Sequence, residues 1–235
     1  MTTKFFKAAV AWCVMTGLAH VAMGVNLIEA GKAKCVIVLP QNPGEVERHA
    51  GEELAAYLKK ITGADTPIKN TAEPGATTIR IGIVGADNLI PGDNLKTAVD
   101  KIKDDGFVLA ADNAGVQIIA KKKRGLLYGV YELLRKHGGV RWLYLGAEGE
   151  ICPKSTSFNV PGQITVKNPA FPIRRLALNA CFPRQLYDTW DWMVRNGFQI
   201  QTAMLKDNDP EKKWLWKRAP DIYVSPDFYI VFGGE

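Results

Sequence analysis

The apolar positions of this chain change period several times, and each change marks an element. Residues 35–39, Cys-Val-Ile-Val-Leu, form a β-branched run closed by Pro40, which predicts a buried strand. The period then becomes helical. Val46, Ala50, Leu54, Tyr57, Leu58 and Ile61 share one face. Asn42 suits an N-cap, Pro43 the first turn and Glu45 the N-terminal end, while Lys59 and Lys60 suit the last turn before Gly63. His49 reads as a helix-edge or surface residue, because no partner motif accompanies it. Strands are expected weakly at 67–69 and strongly at 77–84. Residues 85–96 are polar and carry the Pro91-Gly92 turn signal. Residues 105–110 and 116–120 flank Asp112-Asn113-Ala114-Gly115, a hairpin pattern.

A second amphipathic helix spans 124–137. Leu126, Leu127, Val130, Leu133 and Leu134 make its apolar face, and Arg135, Lys136 and His137 complement its C-terminal end before Gly138 and Gly139. A strand carrying Arg141 and Trp142 is expected at 140–145. The order β-α-β-β-β-β-α-β predicts an α+β fold, a mixed sheet with two helices on one face. Residues 146–172, rich in Pro, Ser and Thr, read as a connector with one edge strand at 163–166. A strand at 176–180, a helix at 186–196 ended by Gly197, and a strand at 198–205 then form a βαβ unit. That unit suggests a parallel sheet and the start of a (β/α) barrel that the remaining residues are too few to complete, since a whole barrel takes roughly 250 residues. Trp190 and Trp192 cannot share one helix face, so one of them is expected in the core.

The first 24 residues change the charge count and the expected location. Lys4 and Lys7 precede an apolar stretch from Ala8 to Ala22, and Ala22-Met23-Gly24 has the small residues of a cleavage site. A signal peptide over residues 1–24 is therefore expected, with export to the periplasm or exterior and no membrane anchor after cleavage. The apolar run is short and broken for a membrane span. Removing those two lysines lowers the net charge from +6 to about +4, a mild excess that does not call for nucleic acid. The run Lys121-Lys122-Lys123-Arg124 reads as a solvated loop tip. Cys35, Cys152 and Cys181 remain after the leader. Their odd number leaves at least one thiol unpaired within the chain, and buried free cysteines are expected. No Cys-x-x-Cys pair or His-Glu-x-x-His occurs, so no zinc site is indicated, and no organic cofactor is implied.

Several segments together carry a family resemblance: Ala55-Ala-Tyr-Leu-Lys-Lys-Ile-Thr-Gly63, Ile81-Gly82, Asp105-Gly-Phe107, Arg124-Gly125 with Tyr128, Gly138 and Val140-Arg-Trp142, and Pro169-Ala-Phe-Pro-Ile-Arg174. Their order, over roughly residues 35–205, resembles the N-terminal accessory domain of α-glucuronidase-like (family 67) and family 20 glycoside hydrolases, followed by the entry to their barrel. The resemblance implies an accessory α+β domain at 25–167 and the first segments of an incomplete (β/α)8 catalytic barrel at 168–235. It implies an exported carbohydrate-active protein acting in polysaccharide or oligosaccharide breakdown. A non-catalytic carbohydrate-binding or interaction module is the rival reading.

Glycoside hydrolysis needs two carboxyl groups, about 5–5.5 Å apart for retention and about 6.5–9.5 Å for inversion, at the ends of later barrel strands. No catalytic residue is therefore expected in this chain, whether it is a fragment or a degenerate relative, and the reading favours a fragment. Asp188 and Asp191 share a helix face and read as solvated. Arg174 and Asn179 are the candidate substrate-binding residues. Family 20 relatives carry an Arg in the first barrel strand that grips sugar hydroxyls, with an Asp five residues later, where Asn179 stands here. A guanidinium offers fixed donors to hydroxyls or a uronic carboxylate. The other role open to Arg174 is a structural salt bridge at the domain seam. Trp214 and Trp216, among Lys212, Lys213, Lys217 and Arg218, read as a rim for stacking sugar or as core.

Overall fold

The computed structural model describes residues 24–176, 183–202 and 223–224. The chain begins with β1 (Val25–Glu29), β2 (Lys32–Ala33), β3 (Cys35–Val38), α1 (Glu45–Thr62), β4 (Ile68–Lys69) and β5 (Thr77–Ile83). There follow α2 (Asp93–Asp100), β6 (Phe107–Asp112), β7 (Gly115–Ala120), α3 (Lys123–His137), β8 (Arg141–Trp142) and β9 (Glu150–Ile151). β10 (Phe158–Val160) and β11 (Gln163–Lys167) precede β12 (Arg175–Leu176), α4 (Pro183–Arg195), β13 (Gln199–Thr202) and β14 (Tyr223–Val224).

The central sheet has the order β11-β6-β7-β5-β3-β4, parallel from β4 to β7 and antiparallel from β7 to β11. This is the expected mixed sheet. α1 and α3 pack on one face, where Ile37, Ile79, Ile81, Leu109 and Ile118 meet Leu54, Leu58, Leu126 and Leu127 in a single core. Alternation along the strands sends Val108, Ala110 and Ile119 to the other face, against Leu95, Ala98 and Ile102. β12, β13 and β14 form a separate parallel sheet in chain order. α4 is the crossover between its first two strands, as the βαβ pattern predicts.

The helix stops lie where the sequence signals put them. Gly63 is left-handed (φ 78°) and returns its N–H to the Lys59 carbonyl at 2.8 Å. Gly197 also has positive φ just beyond α4. Gly129 lies within α3 because a Cβ there would come within 2.5 Å of Ile118 Cγ2, so a side chain would lift the helix off the sheet.

The start of α1 differs from expectation. Gly44, not Asn42, occupies the N-cap, and no side chain caps it. Its Glu47 carboxylate folds back over Gly44. His49 is buried rather than on the surface, because Glu47, His49 and Gly51 are covered along with the apolar stripe and the Leu39 side chain packs against Gly51. α2 was hidden in a stretch read as polar turn, since only Leu95 and Ala98 of its eight residues are buried. β1 and β10 were also not expected. They pair with each other antiparallel across a long stretch of chain, and the local partner of β1, β2, is only two residues long. The strand expected at 140–145 is paired only over Arg141–Trp142, against β9.

Leu127 is fully buried where α3 meets the sheet. Leu127→Ala should lower unfolding stability by about 2–5 kcal/mol in urea titrations. A Cβ at Gly115, which has φ +149°, would collide with the Thr78 carbonyl across the β5–β7 pair. Gly115→Ala should therefore also destabilise, although it removes no contact.

Candidate functional site

The turn before β6 carries Asp105, which is only 4% exposed, and one of its carboxylate oxygens gathers three donors. Oδ2 accepts from Arg124 Nη1 at 3.3 Å, Arg174 Nη2 at 3.2 Å and Gln199 Nε2 at 2.9 Å. Those donors come from the start of α3, the segment entering β12 and the first residue of β13. Arg174 has further partners. Its Nε donates to the Gly197 carbonyl at 2.8 Å and its Nη1 to the Phe171 carbonyl at 2.6 Å, while its guanidinium lies 5.6 Å from the centre of the Tyr128 ring. Gln199 donates to the Pro172 carbonyl at 2.8 Å and exchanges backbone and side-chain bonds with Arg174. The Tyr128 hydroxyl donates to the Phe198 carbonyl at 2.9 Å.

Small residues permit this convergence. A Cβ on Gly125 would stand 2.6 Å from the Gly106 carbonyl, so α3 begins in direct backbone contact with the Asp105-Gly106 turn. Gly106 in turn faces Asn168. The Asn168 side chain accepts from Lys103 N–H at 2.8 Å and donates to the Lys101 carbonyl at 2.9 Å, fixing the end of β11 to the same turn.

A second cluster joins α4 to the helices of the sheet. Trp142 meets Tyr57 and Tyr131 edge-on, with centroids 5.5 and 5.3 Å away. Its indole N–H donates to the Tyr57 hydroxyl at 2.8 Å, and that hydroxyl donates to Glu150 at 2.7 Å. The Trp142 carbonyl accepts from Trp192 Nε1 at 3.0 Å and Asn196 Nδ2 at 3.1 Å, both beyond or on α4. Arg195 lies 5.7 Å from the Tyr57 ring and 6.0 Å from that of Trp142, and donates to Glu53 at 3.3 Å. Glu53 also accepts from the Tyr131 hydroxyl at 3.1 Å. Burial, followed by the Glu53 carboxylate, pushes the Tyr131 phenol well above its ordinary value and keeps it a donor.

Between the two clusters lies a cleft of about 170 Å³, lined among others by Asp105, Tyr128, Glu132, Lys167, Arg174 and Arg195. Glu132 binds Arg135 and, at 2.5 Å, Lys167. Burial alone would raise its pKa, but hydrogen bonds from Lys167 and Arg135 outweigh burial and lower it. Glu150 is lowered in the same way, against its burial, by Lys60 and Tyr57. A glycosidase general acid needs the opposite, a carboxyl group held protonated. Glu132 and Glu150 are held ionised by the donors that grip them.

The structure thus places Arg174 in the seam, its nitrogens donating to protein acceptors. Asn179 lies outside the described residues, as do Cys181, Trp214 and Trp216. Trp190 is buried and Trp192 only partly so, in keeping with one core residue of the pair. Asp188 is exposed, whereas Asp191 lies 3.9 Å from Arg195. Cys35 and Cys152 are free; Cys35 is buried, and burial pushes its thiol up to about 12. Among the described residues no cluster of His, Cys, Asp or Glu is arranged to hold a metal, and no helix is long and apolar enough to cross a membrane. Sequence reasoning missed Glu53, Gln199 and Arg195 as seam residues. It took Asp105 only as a strand start, since nothing local shows that a carboxylate will be met by cations 19 and 69 positions away.

Residues 28–133 match the family model described as the glycosyl hydrolase family 67 N-terminus. The probable alpha-glucuronidase A of Neosartorya fischeri is 34% identical over 85 residues, covering 36% of this chain and 10% of that protein. The alpha-glucuronidase A of Emericella nidulans is 28% identical over 142 residues, 59% of this chain and 14% of the relative. Among solved structures, a mutant Streptomyces plicatus beta-hexosaminidase in complex with product has a TM-score of 0.52 at 20% identity, covering 79% of this chain and 32% of its own. A family GH115 4-O-methyl-alpha-glucuronidase has a TM-score of 0.53 at 16% identity, covering 73% and 25%. The chain therefore spans only a small part of the proteins it matches.

The fold and the match over residues 28–133 support a glycoside hydrolase N-terminal domain for the mixed-sheet unit. More narrowly, they support one of the α-glucuronidase-like kind.

Asp105→Ala takes the carboxylate away from the buried Arg124 and the half-buried Arg174 and should cost about 3–5 kcal/mol, read by chemical denaturation. Acid should loosen the seam as well. Glu132 has a lowered folded pKa, so its contribution is present above its ordinary value of 4.5 and is lost as pH falls through the folded one. The melting temperature should drop on acidification below that value, and Glu132→Gln should flatten part of the drop.

Proposed function

We propose that this chain is the front part of an exported, carbohydrate-active α-glucuronidase-like glycoside hydrolase, and that its accessory domain serves to hold the first βα unit of a catalytic barrel. The observation that carries this reading is the Asp105 junction. A buried carboxylate of the accessory domain is bonded to Arg174 ahead of β12 and to Gln199 at the head of β13. In this reading residues 1–24 are a signal peptide, 25–167 the accessory domain and 168–235 the opening of the barrel. Arg174 is then a positioning residue that sets the entry of the first barrel strand. Asn179, outside the described residues, remains the candidate for sugar contact on the family resemblance. The substrate class is an oligo- or polysaccharide, with no nucleic acid partner, no membrane anchor after cleavage of the leader and no cofactor.

Two measurements test the reading. Incubated with aryl α-glucuronides and glucuronoxylan fragments, the 235-residue chain should release no product; robust hydrolysis would show that a working acid pair is present and overturn the assignment of a holding role. In hydrogen exchange, amides of α4 and β13 should be protected in the native chain. They should lose protection in Asp105→Ala or Arg195→Ala before those of β5 and β7 do. Identical exchange in wild type and both variants would mean that the seam holds nothing.

A further inference from the structure

Among the described residues the sheet face opposite the seam is only partly covered, and the register explains why. Cross-strand neighbours on that face form three successive rows. Val166, Val108, Ile119 and Gly82 make the first, Ile164, Ala110, Gln117 and Arg80 the second, and Asp112, Gly115 and Thr78 the third. α2 is eight residues long, and its Leu95 and Ala98 pack with Val108 and Ile119 of the first row and Ala110 of the second. Among the described residues the face stays open beyond them, and a groove of about 540 Å³ lies over the second and third rows. The single methyl of Ala110 and the bare Cα of Gly115 leave room for it.

The groove is held open by a specific contact. The Gln117 side chain accepts from the Ile90 N–H at 2.8 Å and donates to the Ile90 carbonyl at 3.2 Å, so the segment leading into α2 is fixed as one wall. Ile90 on that wall and Ile164 on the edge strand opposite are 46% and 45% exposed, and both line the groove. Arg80 rises from the floor. It donates through Nη1 to the Asn88 carbonyl at 2.7 Å, its Nε is buried without a partner, and no carboxylate of the described residues forms an ion pair with it. Asn94, Asp112 and Gln163 complete the polar lining.

We propose that this groove is a second, non-catalytic carbohydrate site, taking one or two sugar units with the aliphatic faces of Ile90 and Ile164 against the ring C–H groups and Arg80, Asn94, Asp112 and Gln163 on its hydroxyls. The ligand class rests on the carbohydrate reading above; the place does not. A polyol suits a lining that offers both donors and acceptors. Simple anion binding suits it less, because Asp93 and Asp112 stand in the same lining as Arg80. The volume falls in the range of small-ligand pockets, about 300–1,000 Å³. An open groove without an aromatic platform is expected to bind weakly, with Kd about 1 mM.

The test is a titration of the isotope-labelled chain with xylotriose, D-glucuronic acid, N-acetylglucosamine and, as a control, acetate, followed by amide shifts. Saturable shifts confined to residues 92–95, 112–115 and 163–164 with at least one sugar are expected. Ile164→Glu, an exposed substitution, should weaken them about tenfold while the thermal melt is unchanged; Arg80→Gln should do the same if it folds. Shifts with no sugar at all overturn the site. Shifts mapping instead to residues 169–174 and 197–199 overturn the site but leave the carbohydrate reading standing. Acetate reproducing the shifts of glucuronic acid, with no response to xylotriose, overturns the sugar assignment in favour of a bare carboxylate site.

Discussion

A buried carboxylate must be matched by donors, and at Asp105 that requirement organises the molecule. Asp105 sits on a tight turn ahead of a central strand, with two guanidinium groups and a side-chain amide on one oxygen. Each partner belongs to a different part of the chain, so satisfying the charge forces those parts together. Desolvating three charges is costly, and the arrangement stabilises only when all its donors arrive with good geometry. The junction therefore forms together or not at all. Glycine at 106 and 125 follows from the same constraint, since backbone must touch backbone for the arginines to reach.

The Trp142 cluster extends the junction along α4. Aromatic edges, a cation over two rings and hydrogen bonds to one carbonyl bind the helix from several directions. Glu53 and Glu150, like Asp105 and Glu132, are occupied by donors. Engaged in this way, these acids tie the elements of the seam to one another. The same chemistry explains why the conspicuous Val140-Arg-Trp142 segment forms only a two-residue strand: Trp142 is placed for the contacts of its indole and its carbonyl, and little sheet is needed to hold it.

Much of the fold was legible along the chain. α1, α3 and α4 announced themselves by long stripes at helical spacing and by the glycines that end them, and the β6–β7 hairpin by its turn residues. What escaped was short or non-local. α2 buries too few side chains to make a pattern, and β1 has only the two-residue β2 nearby, its other partner β10 lying far along the chain. His49 looked exposed because a stripe read from sequence shows the deepest residues and not the width of the covered arc. At the candidate site, Arg174 was visible as a charged residue at a boundary. Its partner Asp105 was visible only as the first residue of a strand, and Gln199 and Arg195 were not visible as site residues.

By itself, then, the sequence determined the long helices, the central strands and the glycine stops, because those depend on neighbours within a few residues. Tertiary structure alone decided which charges meet, that Arg174 faces the Asp105 carboxylate, and that among the described residues one face of the sheet is left with an open groove. Those outcomes depend on strand register and on contacts between residues scores of positions apart, and no local spacing encodes them.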